Sequence, residues 1–287
     1  MELGLVLGGG GVVGVAWEVG VLAGLADALG WDPDGARTIV GTSAGSVIGA
    51  NLRHGRSIDD LVAEQRAGGL RLAGGEPGDP AAALEVFRRW AGVELMDPPT
   101  ARAVGELAMS ASATDEAVML DGFRKILPAA NWPEGDLRVT GVSVGTGERV
   151  VWTAASGVEL AAAVTASCAV PGLFPPITVG DDRYVDGGLW SGSNADVVAG
   201  DRLGAALFIG PMGVGTTGLA AQSARALARE VDVLTLDGTA LHVLEPGERF
   251  VAAAMQLMDA TRRVEALEIG LAEGTDAADR LRPVLAG

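Results

Sequence analysis

The sequence predicts an α/β fold that opens as a parallel, doubly wound sheet. Three observations carry this. Residues 3–7, Leu-Gly-Leu-Val-Leu, form a short apolar run of the kind found in a strand buried on both faces. A glycine loop spans residues 8–14, and residues 15–29 then place Trp17, Val21, Leu25 and Ala28 at helical spacing. A second strand-like run, residues 38–40, leads through Gly41-Thr42-Ser43-Ala44-Gly45 into a helical stretch that starts at Ser46. Strand, helix, strand, helix is the opening of a βαβ architecture.

The remaining elements follow in order. Residues 58–120 lack strand signals and read as a mostly helical insertion or lid, with a helix around 84–90 and loops at 74–80 and 97–100. Residues 137–144 return to strand character, and 149–153 are placed to pair with them. A helix is predicted at 158–166 and an irregular loop at 171–176. Residues 205–209 and 240–244 read as two more buried strands, joined by a helix at 218–234. A long final helix is predicted over 249–271, with an apolar stripe of Met255, Met258 and Leu267. No repeat or linker interrupts the chain, so residues 1–287 are expected to form one domain.

Composition excludes several classes of function. The 48% hydrophobic content is ample for a core. A net charge of −16 argues against nucleic acid and against electrostatic docking on anionic membranes. Cys168 is the lone cysteine, so neither a disulfide nor a cysteine zinc site is expected. The first apolar run has no basic segment before it, and no long apolar stretch is free of charges or multiple glycines. The expectation is a cytoplasmic protein, needing no metal and no other cofactor. Its oligomeric state is left open.

The chemistry concentrates at Gly41-Thr42-Ser43-Ala44-Gly45. A serine between a strand and a helix, flanked by glycines, fits the sharp turn of a nucleophile elbow. The turn would expose the hydroxyl near the positive end of the following helix. A serine nucleophile needs a base, and the chain has only two histidines, His54 and His242. His54 lies eleven residues beyond Ser43 on the same helix, about 16 Å away at ~1.5 Å per residue. His242 would complete the chain order Ser43, Asp186, His242 of an α/β-hydrolase triad, but it sits within an apolar strand-like run. A carboxylate alone is the other candidate base. Asp186 opens Asp186-Gly187-Gly188, which taken by itself is a tight turn. Gly9, Gly11 and Gly14 match the spacing of a dinucleotide loop, yet the acidic residue that motif needs after the second strand is replaced by the elbow. Bare glycine amides at a helix start suit an oxyanion hole better.

The glycine loop, the elbow about 30 residues later, the stretch Ala166-Ser167-Cys168-Ala169-Val170-Pro171-Gly172-Leu173-Phe174-Pro175-Pro176 and the distant Asp186-Gly187-Gly188 together resemble the patatin-like phospholipase family. The resemblance covers most of the chain and is least clear over 58–120. It implies a three-layer α/β/α sandwich with a mostly parallel central sheet. It implies Ser43 as nucleophile, Asp186 as its base, and Gly9, Gly10, Gly11 and Ala44 as the oxyanion hole. The implied activity is that of a serine acyl hydrolase, of lipase, esterase or phospholipase A type, working through a Ser-Asp dyad and an acyl-enzyme. Acyltransferase or thioesterase chemistry on the same dyad, or a non-catalytic binding module, are the alternatives. The substrate would be a lipid or a small acyl ester, with room for transient contact with a membrane surface. One position departs from the pattern: Val13 stands where the family has Arg or Lys before the last glycine of the loop, removing a cation that would assist an anionic headgroup.

Overall fold

A computed structural model describes residues 2–69, 79–112, 114–253 and 257–285. The helices among them are α1 (Gly11–Leu29), α2 (Ala44–Arg53), α3 (Ile58–Arg66), α4 (Pro80–Ala91), α5 (Pro98–Ala108), α6 (Glu116–Ile126), α7 (Leu160–Ser167), α8 (Gly218–Asp237), α9 (Glu248–Ala253) and α10 (Arg263–Leu285). The strands are β1 (Leu3–Leu7), β2 (Thr38–Gly41), β3 (Asp136–Ser143), β4 (Arg149–Trp152), β5 (Ile177–Val179), β6 (Asp182–Asp186), β7 (Ala205–Ile209) and β8 (Ala240–Leu244). They form one sheet in the order β5-β6-β3-β2-β1-β7-β8, with β4 folded back on β3. The run from β3 to β8 is parallel, and β4, β5 and β6 enter antiparallel.

Strand alternation builds the layers. Leu5, Leu7, Ile39, Leu207 and Ile209 join one apolar cluster with α1, α2, α7 and α10. Val6, Val40, Ala206 and Phe208 join another with Leu227 and Leu234 of α8. Central strands are thus covered on both faces, which is why they read as unbroken apolar runs. Each fully buried Leu or Ile contributes about 1.5–3 kcal/mol. A third cluster packs Val86 and Trp90 of α4 and Val104 of α5 against Val142 and Val185 of β3 and β6. This is the expected three-layer α/β/α sandwich.

α1 is long and apolar enough, by length and composition, to cross a membrane. Here it is an interior helix pressed against α10. A Cβ on Gly20 would lie 2.2 Å from the Leu267 carbonyl oxygen, so glycine allows the two backbones to touch. Trp17 seals the same face by donating its indole N–H to Glu273 at 2.7 Å. Within α1, Glu18 is fully buried and neither carboxylate oxygen has a hydrogen-bond partner among the described residues. Burial pushes its pKa well above the ordinary glutamate value. A raised pKa means that stability is fully present below the unfolded value and is lost as pH rises through the folded one. Glu18→Met is therefore expected to stabilise the protein by about 1–3 kcal/mol. The gain should grow from pH 5 to pH 8 in denaturant melts, and a loss of stability would contradict this account.

Several elements differ from the sequence expectation. The predicted final helix is two helices. α9 ends at Ala253, Asp259 accepts from the Thr261 N–H at 3.0 Å to start a new turn, and α10 follows. The break lets the Leu257 carbonyl reach the start of α1, where it accepts from the Val13 N–H at 3.0 Å. Of the predicted stripe, Met255 lies outside the described residues. Residues 240–244 do form a strand, but among the described residues β8 pairs only with β7, and Leu241, His242 and Val243 are half-buried at the sheet edge. The 97–100 loop is instead the start of α5, with Asp97 capping the Thr100 N–H at 2.8 Å and Pro98 in the first turn. Of the 74–80 loop, residues 74–78 lie outside the described residues, Asp79 caps α4, and Pro80 begins it. The short strand β5, which pairs antiparallel with β6, has no counterpart in the sequence reading.

Candidate active site

Strand register brings Ser43 and Asp186 together. Gly41 of β2 is level with Val139 of β3, and Gly141 of β3 is level with Asp186 of β6. Two residues beyond Gly41 is Ser43, so the two side chains emerge at the same height on either side of β3. Both are buried, at 6% and 2% exposure.

Ser43 has φ 52° and ψ −115°, a left-handed conformation that L-residues rarely adopt. The surroundings hold it there. Its N–H donates to the Ser167 hydroxyl at 2.9 Å. Its carbonyl accepts from the Ser46 hydroxyl at 2.7 Å and from the Cys168 thiol at 3.4 Å. Next to it, Gly45 lets α2 close on β1, since a Cβ there would meet the Leu7 carbonyl oxygen at 2.2 Å. Burial, and secondarily the Asp186 carboxylate, push the Cys168 thiol up, so it is a neutral donor rather than a rival nucleophile.

Asp186 ends β6 and accepts from the Gly188 N–H at 2.7 Å. Burial pushes its pKa up to about 7, against the opposing effects of hydrogen bonding from Ser43 and the Gly188 N–H. A carboxyl poised there is suited to exchanging a proton near neutrality. The elbow and the Asp186 turn are tied together below the site. The Thr42 and Thr140 hydroxyls pair at 2.8 Å, and the Asn194 amide donates to Thr42 at 3.1 Å, to the Gly187 carbonyl at 3.3 Å and to the Ser191 carbonyl at 2.6 Å. Ser167, Thr140 and Asn194 are the positioning residues that sequence reasoning missed.

The glycine loop lies beside the serine: a Cβ on Gly9 would sit 3.7 Å from that of Ser43. Among the described residues, the N–H groups of Gly10, Gly11 and Ala44 have no partner, and Gly10 and Gly11 start α1 while Ala44 starts α2. These are the orphan donors that helix starts leave free. The Gly9 N–H, by contrast, donates to the Gly192 carbonyl at 2.9 Å. Its part is to anchor the loop. Val13 is fully buried in the apolar core.

Neither histidine approaches. His54 caps the far end of α2. His242 is level with Leu207 in the middle of β7, and β8 lies three strand spacings from β2, about 14 Å at ~4.8 Å each.

Two apolar cavities meet at Ser43. The smaller one is lined by Val12, Val15, Val47, Gln65, Phe174 and Met258 among others. The larger one also touches Asp186 and is walled by Phe87, Trp90, Leu173, Met212, Leu219 and Leu257. Among the described residues, no Lys, Arg or His lines either one.

The model of the patatin-like phospholipase family matches residues 5–199, and the chain belongs to that family. It is 28% identical over 210 residues to an uncharacterized NTE family protein of Mycobacterium bovis, and equally to one of Mycobacterium tuberculosis. That alignment takes in 72% of this chain and 30% of each relative, so the chain spans about 30% of the length of the curated relatives it matches. Among solved structures, VipD from Legionella pneumophila aligns over 97% of this chain and 67% of its own, at 14% identity and a TM-score of 0.45. The type III effector protein ExoU aligns over 97% and 53%, at 14% identity and a TM-score of 0.39.

Proposed function

We propose that the chain is a serine acyl hydrolase that cleaves acyl esters of lipids through Ser43 and Asp186. The observation that carries this reading is a buried serine, held in a strained elbow and level with a buried carboxyl, where two apolar cavities meet. In the proposed cycle the Ser43 oxygen attacks the ester carbonyl while its proton passes to Asp186. The carbonyl oxygen becomes an oxyanion and accepts from the free N–H groups of Gly10, Gly11 and Ala44, aided by two helix starts. The intermediate collapses to an acyl-enzyme, and the leaving alkoxide takes the proton from Asp186. Water then attacks the acyl-enzyme, giving its proton to Asp186, and Ser43 leaves with that proton restored. No step requires a metal.

Apolar walls favour a lipid acyl group. The described walls of both cavities carry no cationic side chain, which disfavours a substrate whose phosphate must be bound close to the scissile bond. Leu84 of α4 and Leu173 are exposed, and Leu173 lines the larger cavity with Phe87 and Trp90. That apolar rim suits transient contact with a neutral lipid surface.

A base that works as the carboxylate is active above its pKa. With Asp186 at about 7, kcat/KM for a p-nitrophenyl ester is expected to rise through neutrality, with a midpoint near pH 7. A rate that is flat from pH 5 to 9 would contradict this assignment. The double variant His54→Gln, His242→Gln tests the dyad against a triad. It should keep most of the esterase activity. A folded double variant, verified by circular dichroism, that turns over no ester would sink the reading.

A further inference from the structure

Resting on the acyl-hydrolase reading, we infer that the smaller cavity takes an acyl chain bearing a hydroxyl group, received by the side-chain amide of Gln65. The buried face of α3 is Leu61, Val62 and Gln65. Gln65 therefore stands at a core position, one helical turn after Leu61. It is only 2% exposed, and its Oε1 has no hydrogen-bond partner among the described residues. A buried amide oxygen without a partner lowers stability, and a leucine or methionine at the same place would not carry that cost.

Gln65 lines the same cavity as Ser43, and the side chains around it are Val12, Val15, Val47, Val170, Phe174 and Met258. The Cys168 thiol in that wall is already committed to the Ser43 carbonyl. A saturated hydrocarbon chain entering this space would leave the amide unpaired. A hydroxyl is both donor and acceptor, so it satisfies whichever end of the amide faces it. A carboxylate is a poorer match, because among the described residues no cation lines the cavity to receive it.

The cavity follows the first turn of α1 from Gly11 to Val15 and of α2 from Ser43 to Val47, about 6 Å at ~1.5 Å per residue. Asp186, which protonates the leaving alkoxide in the proposed cycle, lines the larger cavity and not this one, so the smaller cavity is assigned to the acyl group and the recognised hydroxyl lies some carbons from its carbonyl.

The test compares methyl esters of hexanoic, octanoic and decanoic acids with their 3-hydroxy and terminal-hydroxy counterparts. Wild type, Gln65→Met, Gln65→Leu and Ser43→Ala are assayed by acid release. At least one hydroxylated ester should exceed the plain ester of equal length by about tenfold in kcat/KM, the worth of one net hydrogen bond. Both Gln65 variants should lose that preference, read as the ratio of the two kcat/KM values within each variant. Ser43-dependent turnover by wild type with no hydroxyl preference at any position would overturn the inference and leave the hydrolase reading standing. So would a preference that survives in a folded Gln65 variant. Turnover of none of the esters, or turnover that persists in Ser43→Ala, would overturn both. The wild-type comparison decides even where a Gln65 variant fails to fold.

Discussion

Replacing Ser43 by alanine is expected to lower ester hydrolysis by roughly four orders of magnitude or more, to the residue of catalysis that binding and oxyanion stabilisation leave. In the proposed cycle the hydroxyl is the only nucleophile at the meeting point of the two cavities. The thiol beside it is neutral and hydrogen-bonded to the Ser43 carbonyl. The fold should survive, because the contacts that hold the elbow are made by the backbone of residue 43. A companion variant separates chemistry from strain. At φ 52° and ψ −115°, a side chain costs about 1–3 kcal/mol, while glycine gives back about 0.5–1 kcal/mol in unfolded-state entropy. Ser43→Gly should therefore be as inactive as Ser43→Ala yet more stable than wild type, by about 1 kcal/mol. A Ser43→Gly protein less stable than Ser43→Ala would argue against stored strain.

Asp186→Asn carries the second large effect, a loss of about 10²–10⁴ in rate, the span expected for removing a general base. Asparagine keeps an oxygen for the Gly188 N–H, so the turn is preserved and the proton acceptor is not. The same substitution should raise stability in alkaline solution. Asp186 has a folded pKa raised to about 7, so its contribution is fully present below the unfolded value and declines as pH rises through 7. The variant should match wild type near pH 4 and exceed it at pH 8. Higher stability with lost activity would show that the carboxylate is held at the site against the preference of the fold. Full activity in the variant would end the case for Asp186 as base.

Much of this site is legible in the sequence because backbone geometry constrains residue type locally. A strained turn between strand and helix selects glycine on both sides of Ser43, and a helix start close to a ligand selects the bare residues at 8–11. The central strands, buried on both faces, read as apolar runs for the same reason. What the sequence hides depends on register. Ser167, Thr140 and Asn194 are ordinary polar residues until the sheet sets them against Ser43, Thr42 and Gly187. A glycine run offers several amides but does not say which are free, and the bond from Gly9 to Gly192 decides it. An apolar strand does not announce whether it has one neighbour or two, so β8 reads as central although it is the edge. Gln65 did leave a trace: it is a polar residue one turn after Leu61, where the helical pattern asks for an apolar one.

If Ser43 is the nucleophile of an acyl hydrolase, fluorophosphonate labelling with peptide mapping should find one covalent adduct, on the peptide that contains Ser43, formed in step with the loss of esterase activity. An adduct on a different serine, or a fully active enzyme that takes up no label, would contradict it.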